Sequence, residues 1–149
     1  MEHKLILVKP LGLQNALMEI MRALKGVGAV TKRRLVPVTC ARMAEHYAEH
    51  SGKSHFDALV GYYAGETVMA LVLEGQDVVA RVRGMLGPSN PRDAAPDQLR
   101  RLVLEKFQDG QNGWRAIELA TSGVDNFIHA SDSPAAAERE IALWFPERR

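Results

Sequence analysis

Strand-like and helix-like segments alternate along this chain of 149 residues, which predicts a single domain with helices covering a β-sheet. Short apolar runs have the length of buried strands, and the segments between them repeat apolar residues every three or four positions, as amphipathic helices do. A composition of 46% apolar and 25% charged residues excludes a disordered chain. A formal net charge of +1 argues against a protein that coats nucleic acid.

The predicted strands are apolar runs that end at residues unsuited to a sheet. The first, Leu5 to Val8, ends before Pro10, which has no N–H to donate to a neighbouring strand. Another, Thr67 to Leu73, gives the strongest strand signal in the chain. The strands predicted in this way cover residues 5–8, 29–38, 67–73 and 127–128.

The predicted helices repeat apolar residues at helical spacing, and several begin at a residue typical of an N-cap. Thr39, Asp77 and Ser133 are such residues, and Ser133 is followed by Pro134, which is favoured at the first helical position. Residues 108–125 are mixed and polar and predict no element. The helices cover residues 13–24, 39–52, 56–63, 77–86, 98–107 and 133–144.

The single cysteine, Cys40, excludes an internal disulfide and predicts a cytoplasmic protein in which Cys40 is a small buried residue. The residues after Met1 do not form a signal-peptide pattern, and no stretch approaches the about 20 apolar residues of a membrane span. His46 and His50 have a spacing that can bind a metal, but the sequence offers no third ligand. An exposed helix face is therefore the interpretation of this pair.

Three segments, found in order along the chain, carry more specific information. They are Leu7-Val8-Lys9-Pro10, then Arg83-Gly-Met-Leu-Gly87 with Ser89-Asn90-Pro91, then Asn126-Phe-Ile-His129-Ala-Ser131-Asp132-Ser133. This set resembles the nucleoside diphosphate kinases, and the resemblance runs from Lys4 to about Pro146.

The resemblance implies a ferredoxin-like α+β fold, a four-stranded antiparallel sheet with helices packed on one face, and a single domain over residues 1–149. It also implies ping-pong transfer of a γ-phosphoryl group from a nucleoside triphosphate to a nucleoside diphosphate through a phosphohistidine. Mg²⁺ would travel on the nucleotide phosphates, and no protein side chain is expected to be its ligand. The expected partners are nucleoside di- and triphosphates and further copies of the chain, in a dimer-based tetramer or hexamer. A membrane or a nucleic acid is not expected as a main partner.

By position, the resemblance makes His129 the nucleophile and Glu140 the carboxylate that fixes its tautomer, because an attacking histidine must be neutral and held in one tautomer. Ser131 would lie near both. The expected phosphate clamp consists of Lys9, Arg83 and Arg100, whose charges suit the negative charge of phosphoryl transfer. The remaining expected nucleotide contacts are hydroxyls, the ribose-binding amide and the base-stacking segment, namely Tyr47, Ser89, Asn126, His55, Phe56 and Leu59.

The sequence departs from the family pattern around these residues. Asn126 follows Arg100 by 26 residues, which is longer than is usual in the family and predicts an insertion around 101–125. His55 stands where an aromatic ring usually stacks on the base, and imidazole offers less stacking area. The loop before Arg100 lacks the family's glycine and contains Asp97. Leu11 occupies a position where members usually have aspartate.

Three functions are therefore compared. The first is an active kinase with broad base tolerance, since every base has a face on which a ring can stack. The second is a regulatory domain that binds nucleotide with weak or no turnover, as Asp97, Leu11 and the insertion suggest. The third is a sheet surface that binds nucleic acid, which the aliphatic strands disfavour because such a surface needs exposed aromatic residues.

Overall fold

The computed structural model describes residues 1–48, 56–108, 110 and 113–146. Within these residues four strands form one sheet in the order β2-β3-β1-β4, and every neighbouring pair is antiparallel. The strands are β1 Glu2–Val8, β2 Ala29–Pro37, β3 Thr67–Gly75 and β4 Ile128–Ala130. This sheet confirms the α+β, ferredoxin-like prediction.

One or more helices follow each strand. They are α1 Pro10–Asn15, α2 Leu17–Lys25, α3 Cys40–His46, α4 Phe56–Tyr63, α5 Val78–Leu86, α6 Leu99–Glu105, α7 Gly113–Thr121 and α8 Pro134–Trp144. A 3₁₀ turn, Pro91–Asp93, lies in the proline-rich loop between α5 and α6. No helix in the described ranges is long and apolar enough to cross a bilayer.

The helices cover both faces of the sheet rather than the one face expected. Alternate residues of β1 point to opposite faces, as in any strand. Ile6 and Val8 pack against α2, α5 and α6, whereas Leu5 and Leu7 pack against α3, α4 and α8. Both faces of the sheet are therefore buried at β1, which explains why β1 is a continuous apolar run, whereas the edge strand β2 is largely exposed.

Several helix boundaries differ from the sequence-based prediction. The helix expected over 13–24 is two helices, because Ala16 leaves helical geometry between α1 and α2. Helix α3 is capped by the Thr39 hydroxyl as expected, but it ends at His46; Gly52 lies outside the described residues. Cys40 is exposed rather than buried, since it is the first residue of α3.

Two further differences follow from tertiary structure. Asp77 precedes α5 as expected but makes no capping bond, because it closes the tight β3–α5 turn in the left-handed region at φ 51°. Helix α7 was not predicted because its buried face is made of small residues, Gly113, Ala116 and Ala120, which give a weak apolar signal.

The sheet edge at β4 brings distant parts of the sequence together. In the β1–β4 pair, His129 lies opposite Leu7. Beyond the strand, the backbone N–H of Lys9 donates to the carbonyl of Phe127 at 2.9 Å, and the N–H of Ser131 donates to the carbonyl of Leu5 at 3.0 Å. The lysine and histidine segments are therefore neighbours at one edge of the sheet.

The cap of α8 provides a first test of the fold. The Ser133 hydroxyl accepts a hydrogen bond from the backbone N–H of Ala136 at 3.1 Å. We expect Ser133→Ala to lower the free energy of unfolding by about 1 kcal/mol, measured by urea denaturation. Ser133→Thr keeps the hydroxyl and is the matched control. Equal unfolding midpoints for the alanine variant and the wild-type protein would contradict the assignment.

Candidate active site

A cavity of about 440 Å³ opens at the β4 edge of the sheet, between α5, α8 and the loop after Gly87. It gathers most of the residues singled out in the sequence, although these come from distant segments. Those lining the cavity are Lys9, Tyr47, Leu59, Arg83, Ser89, Arg100, Asn126, His129, Ser131 and Glu140. Phe56, at the start of α4, packs on the core beside the cavity and does not line it. His55 lies outside the described residues.

His129 is held by a buried carboxylate on α8. Its Nε2 lies 2.8 Å from Oε1 of Glu140, which also accepts a hydrogen bond from the Ser131 hydroxyl at 2.9 Å. Burial raises the pKa of Glu140, but the hydrogen bond from His129 and the other favourable contacts outweigh it, so this pKa lies below its ordinary value. Because a carboxylate only accepts, Nε2 of neutral His129 carries the proton and Nδ1 keeps a lone pair.

His46 belongs to the same cluster, although the sequence suggested an exposed helix face. It is buried, its Nδ1 accepts from Trp144 Nε1 at 3.0 Å, and its ring meets that of His129 edge-on with centroids 4.5 Å apart. His46, His129 and Glu140 place potential metal-ligand atoms within 4.8 Å of one another. His129 and Glu140 are bonded to each other, however, so a metal here would have to displace that contact. His50 lies outside the described residues.

Lys9 and Asn126 form a linked pair in the cavity wall. The Lys9 ammonium donates to Oδ1 of Asn126 at 2.8 Å, and Nδ2 of Asn126 donates to the carbonyl of Ser89 at 2.9 Å. Both side chains are largely buried, whereas Ser89 is exposed at the cavity rim. A cation and an amide are thus oriented together towards the same space.

The guanidinium of Arg100 is bonded to the backbone. It is buried and donates to the carbonyls of Gly87, Asn126 and Ile128 at 2.8, 3.3 and 2.6 Å. Arginine has five N–H donors, so these three bonds leave two for a ligand. Arg100 therefore lines the cavity as expected, but it also ties the loop after α5 to the approach to β4.

A third buried cation, Lys4, was not predicted from the sequence. The Lys4 side chain lines the cavity, is 1% exposed and donates to the carbonyl of Val79 at 2.7 Å. Burial, with the nearby charge of Arg83, lowers the pKa of Lys4 to about 8. The available signal was a lysine beside the otherwise apolar run of β1.

The remaining expected residues fall around this framework. Tyr47 caps the end of α3 with its ring centroid 4.8 Å from that of His46. Arg83 lies on α5 and is exposed to the cavity, and Leu59 contributes an apolar wall from α4. Asp97 is exposed in the loop before α6 and does not line the cavity.

Fold and cavity together define a ferredoxin-like domain with a cationic cleft built around a carboxylate-bound histidine, an arrangement suited to phosphoryl transfer. The protein-family model for nucleoside diphosphate kinase matches residues 2–149 of this chain. A nucleoside diphosphate kinase of Pelotomaculum thermopropionicum is 35% identical over 97% of this chain and 88% of its own length. One from Clostridium perfringens is 34% identical over 99% of this chain and 93% of its own length.

Solved structures agree with the sequence comparison. The Aquifex aeolicus nucleoside diphosphate kinase superposes with a TM-score of 0.78 at 31% identity, over 97% of this chain and 94% of that one. A nucleoside diphosphate kinase family protein from Babesia bovis gives 0.80 at 29% identity, over 99% and 90%. The chain belongs to the nucleoside diphosphate kinase family and is a phosphotransferase.

The bonds of Arg100 can be tested against its neighbour. Lysine at position 100 cannot reach all three carbonyls, so we expect Arg100→Lys to lower the free energy of unfolding by about 1–3 kcal/mol, the cost of unsatisfied buried groups. Arg101 is half-exposed, and its guanidinium donates to the carbonyls of Arg92 and Ala94, so Arg101→Lys should cost less, about 0.5–1 kcal/mol. Urea denaturation of both variants checks the difference, and equal losses would show that the buried bonds of Arg100 contribute no more than the half-exposed ones of Arg101.

The lowered pKa of Lys4 predicts a pH-dependent stability. Its unfolded pKa is about 10.4, so the folded state binds fewer protons than the unfolded state between pH 8 and 10. The contribution of Lys4 to the free energy of unfolding therefore becomes more favourable as the pH rises through this window, because the buried amine loses its proton and its charge. The free energy of unfolding of wild type minus that of Lys4→Met should therefore increase from pH 8 to 10 and stay constant from pH 6 to 7. A difference independent of pH throughout would contradict it.

Proposed function

We propose that this chain is an active nucleoside diphosphate kinase that works by ping-pong transfer through His129. The main observation in support is the hydrogen bond between His129 Nε2 and the buried Glu140 carboxylate, because it leaves Nδ1 as the attacking nitrogen. In the first half-reaction a bond forms between Nδ1 and the γ-phosphorus while the bond to the bridging oxygen breaks. The leaving nucleoside diphosphate takes the electron pair on its β-phosphate oxygen, and the Nε2 proton stays hydrogen-bonded to Glu140. The second half-reaction reverses these steps with another diphosphate.

The cations of the cavity would supply the electrostatic stabilisation. Lys9, Arg83 and the two remaining donors of Arg100 would bind phosphate oxygens, and the charge that spreads over the transferred group makes this contribution large. Asn126 would bind the ribose and, through it, the leaving oxygen. Tyr47 and Ser89 would offer hydroxyls, while Ser131 would act through Glu140.

Mg²⁺ suits this site as part of the nucleotide. Most of the charged side chains that line the cavity are cations. Of its two carboxylates, Glu140 is engaged by His129 and Ser131, and Asp132 is exposed. Mg²⁺ prefers phosphate and water oxygens, so it would be carried by the bound nucleotide. There the ion would neutralise part of the negative charge of the phosphates. The base would pack on Leu59 in the α4 wall, and His55 and Phe56 are proposed as further base contacts, as the resemblance implies. Stacking of this kind accepts any base.

We also propose that residues 1–149 form one domain in which 101–125 is an insertion. In support, α6 and α7 contribute Val103, Leu104 and Ala120 to the same core as β1. A dimer-based homo-oligomer is proposed because β2 is an edge strand whose Leu35 is 59% exposed. A single cysteine supports a cytoplasmic location.

A regulatory, weakly active domain is the second candidate. The observation favouring it is Arg100, since three of its five donors are already bonded to backbone carbonyls. A clamp weakened in this way would bind nucleotide without stabilising the transition state.

Labelling with γ-labelled ATP and Mg²⁺ tests the proposal directly. Wild-type protein should acquire an acid-labile, base-stable label that a second nucleoside diphosphate discharges. His129→Ala should acquire none, and His3→Ala, which changes a histidine outside the cavity, should label as wild type does. ATP binding without label on wild-type protein would overturn the kinase proposal in favour of the regulatory domain.

A further inference from the structure

Asp125 is a buried carboxylate that the proposed mechanism does not use. It is 0% exposed and immediately precedes Asn126. Its backbone N–H donates to the carbonyl of Leu119, near the end of α7, at 3.0 Å. Asp125 is the last residue of the 101–125 segment, and this hydrogen bond to the last turn of α7 positions it.

The Asp125 carboxylate accepts three hydrogen bonds from three parts of the fold. Oδ2 accepts from the backbone N–H of Leu11 at 3.0 Å and from the Tyr62 hydroxyl at 2.6 Å. Oδ1 accepts from the backbone N–H of Phe127 at 3.0 Å. All three partners donate in these bonds, and the two carboxylate oxygens have enough lone pairs to accept all of them.

Two of these bonds bracket the Lys9–Asn126 pair. Leu11 lies two residues after Lys9, in the first turn of α1, and Phe127 follows Asn126 directly. The Lys9 N–H itself donates to the carbonyl of Phe127 at 2.9 Å, and the Lys9 ammonium donates to Asn126. The carboxylate therefore closes a hydrogen-bonded ring in which the lysine and the amide are held at a fixed separation.

The hydrogen-bonded ring also stabilises an unfavourable backbone conformation at Phe127. Phe127 has φ 78°, in the left-handed region that residues other than glycine rarely adopt. Such a conformation persists only where surrounding contacts enforce it. The Oδ1 bond to the Phe127 N–H is one such contact, and it sets the direction in which the chain enters β4 and reaches His129.

The third bond joins the helix that forms the apolar wall of the cavity. Tyr62 lies on α4, the helix that also carries Leu59, and burial together with the Asp125 charge raises the pKa of its hydroxyl, which remains a donor. The residue after Pro10 is Leu11. The Asp125 carboxylate reaches the backbone of that residue from the other end of the sequence.

We propose that Asp125 is a positioning residue that fixes the Lys9 ammonium and the Asn126 amide relative to His129, and that the 101–125 segment delivers it. The inference rests on the proposed function, because Lys9 and Asn126 act there on the nucleotide. It assigns to the segment a role in aligning the phosphate-binding groups.

Asp125→Asn tests this by removing one acceptor while keeping the shape. The amide has one accepting oxygen for three donors, so the ring opens and Lys9 shifts. We expect kcat/KM to fall by about 10- to 100-fold, the loss typical of small displacements in an active site. Tyr62→Phe leaves both backbone bonds intact and should cause a smaller loss.

A double-mutant cycle with Lys9→Ala separates positioning from general destabilisation. If Asp125 acts through Lys9, the Asn substitution should cost far less in the Lys9→Ala background than in the wild type. Equal losses in both backgrounds, or an Asp125→Asn enzyme as active as wild type, would overturn the inference. Should Asp125→Asn fail to fold, as judged by its melting transition, the same cycle is run with Asp125→Ser, whose single hydroxyl oxygen cannot replace both carboxylate oxygens that accept the backbone bonds.

The failure of this inference is distinguishable from failure of the proposed function. If wild-type protein transfers phosphate but the mutant cycle is additive, the proposed function stands and the positioning role of Asp125 is rejected. If wild-type protein transfers none, the cycle is repeated on the Kd for ADP measured by calorimetry. Non-additive Kd changes would then support positioning, and additive ones would overturn it.

Discussion

The pairing of β4 with β1 is the contact on which the rest of the site depends. Strand β4 has only three residues, yet it places His129 opposite Leu7 and brings the end of β1, with Lys9, to the same edge. Ser131 reinforces the pair, since its N–H and its hydroxyl bond the carbonyl and the N–H of Leu5. A short strand held at both ends in this way leaves little freedom for the histidine.

The site concentrates positive charge in a partly buried cavity, which is unfavourable in the unliganded protein. Lys4, Lys9 and Arg100 are each less than 10% exposed, and each donates to an oxygen of the protein. These oxygens compensate for lost hydration while leaving further donors for an anion. A polyphosphate entering the cavity would meet groups already desolvated and oriented, so little reorganisation accompanies binding.

The sequence predicted the fold and ten of the residues that line the cavity, and six of these ten lie in short contiguous motifs. What it could not predict depends on contacts between distant segments. His46 was interpreted as exposed because its helix face is polar locally, but Trp144 covers it. Helix α7 has a weak apolar pattern, and the bonds of Asp125 join residues 63 and 114 positions apart. Spacing along the chain carries no information about such hydrogen bonds. For the same reason the sequence could not predict that Arg100 donates to three backbone carbonyls.

The 126 positions that separate Leu5 from Ser131 have a consequence for synthesis of the protein. During synthesis β1 leaves the ribosome well before β4, which completes this sheet edge, and before α8, which carries Glu140. Until then the edge of β1 is unpaired and open to other strands. His129 therefore gains its strand partner and its carboxylate only after residues 128–144 have been synthesised, so a nascent chain lacks the arranged site until that point.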